Sequence, residues 1–245
     1  MLRVLATPLL AALVMFAAPA HAQAEKSASK SGFSLPATGP VKIVVFRPDV
    51  HVGEQSTGGL NEPNADWTAE ARKQIGIALE KAQKSKSNDL VLMPELEGEQ
   101  GVLLADYRSL FKTVTNAVLV HKLFPGNRLP TKKETFNWTL GSGTSQLAQI
   151  SGGDYGLFIY TYDSYGSAGR KAAQLVGAMF GVGISSGVHT GYAGLVDLKT
   201  GELVWINADA QMGGDVRDAV GADKRVSQLL EDFPTRAGTA VTAAQ

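Results

Sequence analysis

The chain has 245 residues, 23 Lys and Arg against 23 Asp and Glu, 44% hydrophobic residues and no cysteine. The absence of cysteine rules out a disulfide scaffold, a thiolate metal site, a cysteine nucleophile and a lipid-modified N-terminal cysteine. The balanced charge excludes a strongly basic nucleic-acid binder, because there is no net positive field to neutralise phosphates.

The start of the chain reads as an export address. Arg3 gives a positive n-region, residues 4–18 are apolar apart from Thr7 and Pro8, and Ala20-His21-Ala22 offers a small-x-small cleavage pattern. Ala22-Gln23-Ala24 is a second possible cut site. A membrane anchor needs about 20 apolar residues, and this run stops short of that at Pro19. The expectation is a cleaved signal peptide over 1–22, a periplasmic location and no stable transmembrane anchor. Residues 23–40, rich in Ser, Ala, Lys and Gly, read as a flexible leader, and 235–245 as a disordered tail. Residues 41–234 are compatible with one domain.

Within that domain, 41–46 (VKIVVF) carries the almost continuous β-branched run of a buried strand, ended by Arg47-Pro48. Residues 49–65, rich in Gly, Pro and Asn, read as a long loop. Asp66 is a candidate cap for a helix to about Lys84, with Ala71, Ile75, Ala78, Leu79 and Ala82 on one face. Residues 90–93 form a short apolar strand before Pro94. Leu103, Tyr107, Leu110, Phe111, Val114, Val118 and His121 then define a longer amphipathic helix, stopped by Pro125-Gly126-Asn127.

Residues 130–140 are loop-like and carry Phe136 and Trp138, and a short helix over 143–150 stops at Gly152-Gly153. The run 155–162 is apolar on both faces, which predicts a central strand. Two further strand-like runs, 192–198 and 202–207, are joined through Lys199-Thr200-Gly201 as an antiparallel hairpin. A last helix over 215–233 offers Val216, Val220, Val226, Leu229 and Leu230 to the core before Pro234. The sum is an α/β (α+β) domain: a single mixed β-sheet with a C-terminal antiparallel hairpin, flanked by helices.

The order of the export signal, the KIVVF strand, "GGDYGLFIYTYDSYGSAGR", "GYAGLVDLKTGELVWINAD", "GDVRDAV" and "LLEDFP" resembles bacterial periplasmic α/β proteins of the CsgG, TolB N-terminal and LpoB-like group. The resemblance implies a binding or assembly component of the cell envelope rather than an enzyme. The chain departs from the lipoprotein members of that group in lacking the lipid-bearing cysteine.

Several patterns bear on chemistry. Gly183-Ile184-Ser185-Ser186-Gly187 matches G-x-S-x-G, with His189 close behind. That elbow needs a strand before the serine and a helix after it, whereas here a helical or glycine-loose stretch precedes and a strand follows, so a flexible connection is the preferred reading. His51, His121 and His189 are too scattered for a helix-borne metal pair, and Glu95, Glu97 and Glu99 lack calcium-loop spacing. Neither nucleotide-binding glycine motif occurs, and the expectation is no metal and no cofactor.

Asp163, Ser164, Tyr165 and Arg170 follow the central strand, where α/β sheets place ligands, and Arg170 could grip a carboxylate or phosphate. The ordinary alternative is a polar turn with Arg170 paired to Asp163. The apolar, glycine-rich run 175–187 is too short to span a membrane and reads as a buried or partner-facing element. The preferred function is therefore a non-catalytic accessory protein of the envelope, bound to a protein or glycan partner or to a second copy of itself. A serine hydrolase using Ser185 and a small-ligand carrier are the alternatives.

Overall fold

The computed structural model describes residues 26–85, 90–124, 126–132 and 135–237, so the expected signal peptide over 1–22 lies outside the described residues. The chain opens with strands β1 (Ser27–Ser29), β2 (Ile43–Val45), β3 (Asp49–Gln55) and β4 (Asn61–Pro63). Helix α1 (Ala65–Ser85), β5 (Leu90–Leu92), α2 (Gly98–Val118), β6 (Trp138–Thr139) and α3 (Ser145–Ser151) follow. The second half contains β7 (Tyr155–Gly166), α4 (Ala168–Met179), β8 (Gly187–Asp197), β9 (Glu202–Asp209) and α5 (Ala219–Leu229).

These strands form one open, mixed sheet in the order β1-β9-β8-β7-β2-β5, the architecture expected from the sequence. Strand β7 is its spine, because both its faces are apolar. Leu157 and Ile159 pack on one side with Ala71, Ile75 and Leu79 of α1 and Ala222, Val226 and Leu229 of α5. Phe158 packs on the other with Leu104, Phe111 and Val118 of α2 and Leu147 of α3. Complete burial of a side chain such as Ile75 or Leu79 is worth about 1.5–3 kcal/mol. Antiparallel β8 pairs with one edge of β7. Along the other edge, β2 runs parallel against 155–157 and β3 against 160–166. Pro48 separates the two, since it has no N–H for the ladder.

The β8–β9 hairpin forms as expected, with Gly201 at φ 78° and its amide donating to Asp197 O. Other expectations are corrected. Residues 49–65 are not a loop: Val50 and Val52 are buried from β3, and β4 folds back on it as a hairpin. Alternation of Val50 and Val52 with polar neighbours was the strand signal, and the flanking prolines and glycines obscured it. Asn64, not Asp66, caps α1, its Oδ1 accepting from Trp67 N at 3.0 Å. The last helix begins at Ala219, capped by Asp218 Oδ1 accepting from Gly221 N at 2.7 Å; Val216 is buried from the loop before it, and Val220 faces solvent.

The segment read as a flexible leader supplies β1, which pairs antiparallel with β9 from Ser27 opposite Asn207 to Ser29 opposite Trp205. Lys26 and Lys30 ion-pair with Asp209 and Glu202 across it. Buried Leu35 exchanges backbone hydrogen bonds with Thr235 and Ala237, which draws in the start of the expected tail. These pairings cover the edge that β9 would otherwise expose.

Candidate functional site

The expected ligand residues sit on β7 and at the start of α4, because β7 runs on to Gly166 instead of turning after Tyr162. Register places Asp163 opposite His189 of β8. The Asp163 carboxylate is fully buried and accepts from Arg225 Nη1 and Nη2 at 2.7 Å each, from Thr161 Oγ1 at 3.0 Å, and from His189 Nδ1 at 2.8 Å. An ionised carboxylate only accepts, so the proton on that side of the imidazole belongs to Nδ1. Burial alone would push the Asp163 carboxyl up, but the hydrogen bonds from His189 and Arg225, with the Arg225 charge, outweigh it and hold the group below its ordinary value.

Ser164 and Tyr165 are likewise engaged within the fold. Ser164 Oγ donates to Asn61 Oδ1 at 2.8 Å, fastening the β3–β4 hairpin. The Tyr165 hydroxyl accepts from Val216 N at 3.0 Å, and burial pushes the phenol far above its ordinary value. Its ring lies 4.9 Å from that of His189, and the Arg217 guanidinium sits in the corner between the perpendicular rings of Tyr165, at 4.0 Å, and Trp67, at 4.3 Å. Arg217 is in turn held by a two-pronged bond to Asp215, at 2.8 and 2.6 Å.

Arg170 does not pair with Asp163, whose charge is already satisfied by Arg225 from α5. Instead Ser167 Oγ caps α4 by accepting from Arg170 N at 3.2 Å, while the guanidinium donates to Ser185 O at 2.8 Å and Thr57 O at 3.4 Å. Arg170 therefore ties the glycine-rich return after α4 to the loop between β3 and β4. Gly169 lies against Thr57 and Gly166 against Ser186, too close in each case for a Cβ.

The structure joins Asp163 to His189, and the Ser185 hydroxyl bonds to Gly187. Ser185 Oγ donates to Gly187 O at 3.1 Å, with helix α4 before it and strand β8 after it, the reverse of a nucleophile elbow. His51 Nε2 is bonded to Asp49 at 2.8 Å, His121 Nδ1 meets Asn127 O at 2.9 Å, and Glu95 pairs with Arg47. Among the described residues, no three His, Asp or Glu side chains converge as metal ligands would.

The outstanding surface feature is α4 with the loop that follows it. Leu175, Val176, Met179, Phe180 and Val182 are 71%, 55%, 83%, 78% and 55% exposed. Gly177 is the buried position of that helix, pressed against Ile184 and the Val182 carbonyl. Residues 167–187 contain no Asp or Glu. The run 175–187 is thus largely presented to solvent rather than buried, and its sequence could show the apolar face but not its exposure. No helix among the described residues is long and apolar enough to cross a membrane.

No protein family matches the chain, and no curated protein does. Among solved structures, the PelC dodecamer from Paraburkholderia phytofirmans is similar at 12% identity, over 86% of this chain and 98% of that one, with a TM-score of 0.38. Lipoprotein GNA1162 from Neisseria meningitidis is 16% identical over 69% of this chain and 78% of its own, with a TM-score of 0.28. The LpoB C-terminal domain from Salmonella enterica is 14% identical over 74% and 87%, with a TM-score of 0.26. The last belongs to the group that the sequence resembles. Likenesses this distant assign no function to the chain.

Proposed function

We propose that the chain is an exported, non-catalytic accessory protein of the bacterial cell envelope that binds a protein partner through α4 and the loop after it. The observation that carries this reading is the set of five large apolar side chains held in solvent between Leu175 and Val182. Each would gain about 1.5–3 kcal/mol on full burial, and contiguous apolar surface of this kind marks interaction sites. Export is supported by the signal-like pattern over 1–22. The non-catalytic reading is supported by Arg225, which already neutralises the carboxylate behind His189, and by Ser185, whose hydroxyl is turned to Gly187.

A protein groove suits this surface better than a lipid bilayer. Among the described residues the amides of 183–186 have no hydrogen-bond partner. Burying them in hydrocarbon would leave them unpaired, whereas a groove can supply acceptors.

A photo-crosslinker placed at position 180 in the exported protein tests the proposal. The expected result is one discrete envelope-protein adduct that disappears when Leu175 and Met179 are both replaced by Gln, with the melting temperature unchanged. Adducts to lipid alone, or an adduct indifferent to that double replacement, would overturn it. The competing hydrolase reading is decided by a fluorophosphonate probe: labelling that is lost in Ser185→Ala would replace the present conclusion.

A further inference from the structure

We propose a small-molecule binding site, for the apolar body of a ligand, in the crevice where β2 and β5 end beside α1. It uses none of the residues of the α4 surface and stands or falls separately.

The first observation is the topology. Strands β2 and β5 are parallel neighbours, from Ile43 opposite Leu90 to Val45 opposite Leu92. The chain leaving β2 returns over one face of the sheet as α1, whose Ile75 and Leu79 share a core with Leu157. The chain leaving β5 crosses the opposite face as α2, whose Leu104 and Phe111 share a core with Phe158. Adjacent strands whose connections go to opposite faces part at their carboxyl ends, and open α/β sheets bind ligands in the crevice this leaves. The sheet is also notched here. Strand β5 pairs with β2 and not with β3, and side chains of α1 take the place of a strand along β3. Thr68 Oγ1 accepts from Val52 N at 3.0 Å, and Arg72 Nη2 donates to Val50 O at 3.3 Å.

The second observation is the space in that crevice. A cavity of about 290 Å3 lies there, close to the lower end of the range for small-molecule sites, about 300–1,000 Å3. Val45, Val50 and Leu79 line it and are buried, with Leu92 and Met93 half-buried beside them. Its charged lining residues are Arg47 and Glu95, which pair with each other, and the exposed Arg72. Apolar walls with a few polar groups at the mouth are the makeup of a site that takes the apolar part of a ligand inside and leaves its polar head outside.

The third observation is Gly76. Arg72, Gly76 and Leu79 follow one another at helical spacing along the flank of α1 that lines the cavity. Glycine is the poorest helix former after proline, and close packing is the usual reason for one in mid-helix. That reason is absent: among the described residues a Cβ on Gly76 would meet no neighbouring atom within 4 Å. The position has room for a side chain and lacks one, which keeps the cavity open.

Methyl NMR titration with hexan-1-ol and hexanoate, one chain with a neutral and an anionic head, tests the site. The expected result is saturable shifts of the Val45, Val50, Leu79 and Met93 methyls with at least one probe, and the tighter one identifies the head that the mouth prefers. Gly76→Leu fills the cavity and should weaken binding about 10-fold or more without lowering the melting temperature. Met93→Ala removes contacts from the wall; it should weaken binding about 3-fold and provides the reading if Gly76→Leu fails to fold. No saturable shift of these methyls with either probe at tens of millimolar overturns the proposal. So does an affinity unchanged in both variants, and so do shifts confined to Leu175, Val176 and Val182, which would place the probe on the α4 surface instead.

Discussion

Asp163 of β7 and Arg225 of α5 share two hydrogen bonds of 2.7 Å, and neither side chain reaches solvent. The pair fastens the last helix to the central strand at its polar end. Removing the cation strands a buried carboxylate, so Arg225→Met should cost about 3–5 kcal/mol. Replacing both partners with apolar groups removes the isolated charge but leaves the Thr161 and His189 donors without this acceptor, so Asp163→Leu with Arg225→Met should recover part of the loss. Urea unfolding of the single and double variants checks this. A double variant no more stable than Arg225→Met would show that packing, rather than the isolated charge, sets the cost.

Asp215 sits in a two-pronged bond to Arg217, and those hydrogen bonds, against a smaller opposing effect of burial, bring its carboxyl down to about 2. A carboxyl whose pKa is lower folded than unfolded stabilises the fold at all pH values above its unfolded pKa of about 3.9. That contribution is lost as the pH falls from about 4 to about 2. Asp215→Asn should therefore flatten the fall in melting temperature between pH 4 and pH 2, while lowering the melting temperature at pH 7. Thermal melts across that range decide it; parallel curves for the two proteins would assign the acid sensitivity elsewhere.

At the β8–β9 turn, Gly201 has φ 78° and its Cβ position falls on the backbone of Gly141. Gly39 has a similar φ of 87° but open space around it. Both alanine replacements bear the cost of the left-handed conformation, about 1–2 kcal/mol. Only Gly201→Ala must also displace a neighbouring strand connection. The expected order in chemical denaturation is Gly201→Ala clearly less stable than Gly39→Ala, and equal losses would mean that the Gly141 backbone yields freely.

That hairpin was legible because everything defining it lies within the span 192–207. The centrality of β7 was legible for the same reason, since Leu157, Phe158 and Ile159 announce two buried faces without reference to any partner. What the sequence concealed depends on distant segments. Strand β1 is the polar tripeptide Ser-Ala-Ser, a strand only because β9 presents a free edge to it. Asp163, Ser164 and Tyr165 look like a turn until β8 and β3 pair with them on both sides. The Asp163, His189 and Arg225 contacts join three elements, and no local period marks them. The exposed face of α4 has the pattern of a core helix, and only its exposure separates the two.

Arg170 pairs with neither Asp163 nor any other carboxylate among the hydrogen bonds described above, and its contribution to the fold is measurable. As a clamp it holds the glycine-rich return to α4 through Ser185 O and the β3–β4 loop through Thr57 O. Both bonds are near solvent, so Arg170→Ala should lower global stability by no more than about 0.5–1.5 kcal/mol. Local opening is a different quantity, governed by how little of a segment is packed, and 180–187 is mostly exposed. Hydrogen exchange of the bonded amides of that segment, 180–182 and Gly187, should rise about 3- to 10-fold in Arg170→Ala, with exchange along β7 unchanged. A return that stays equally protected would mean that Gly177 packed on Ile184 and the Gln55 bond to Gly187 N at 3.1 Å hold it without the arginine. In that case Arg170 would be free to meet a ligand, and the original reading of it as an anion grip would regain its force.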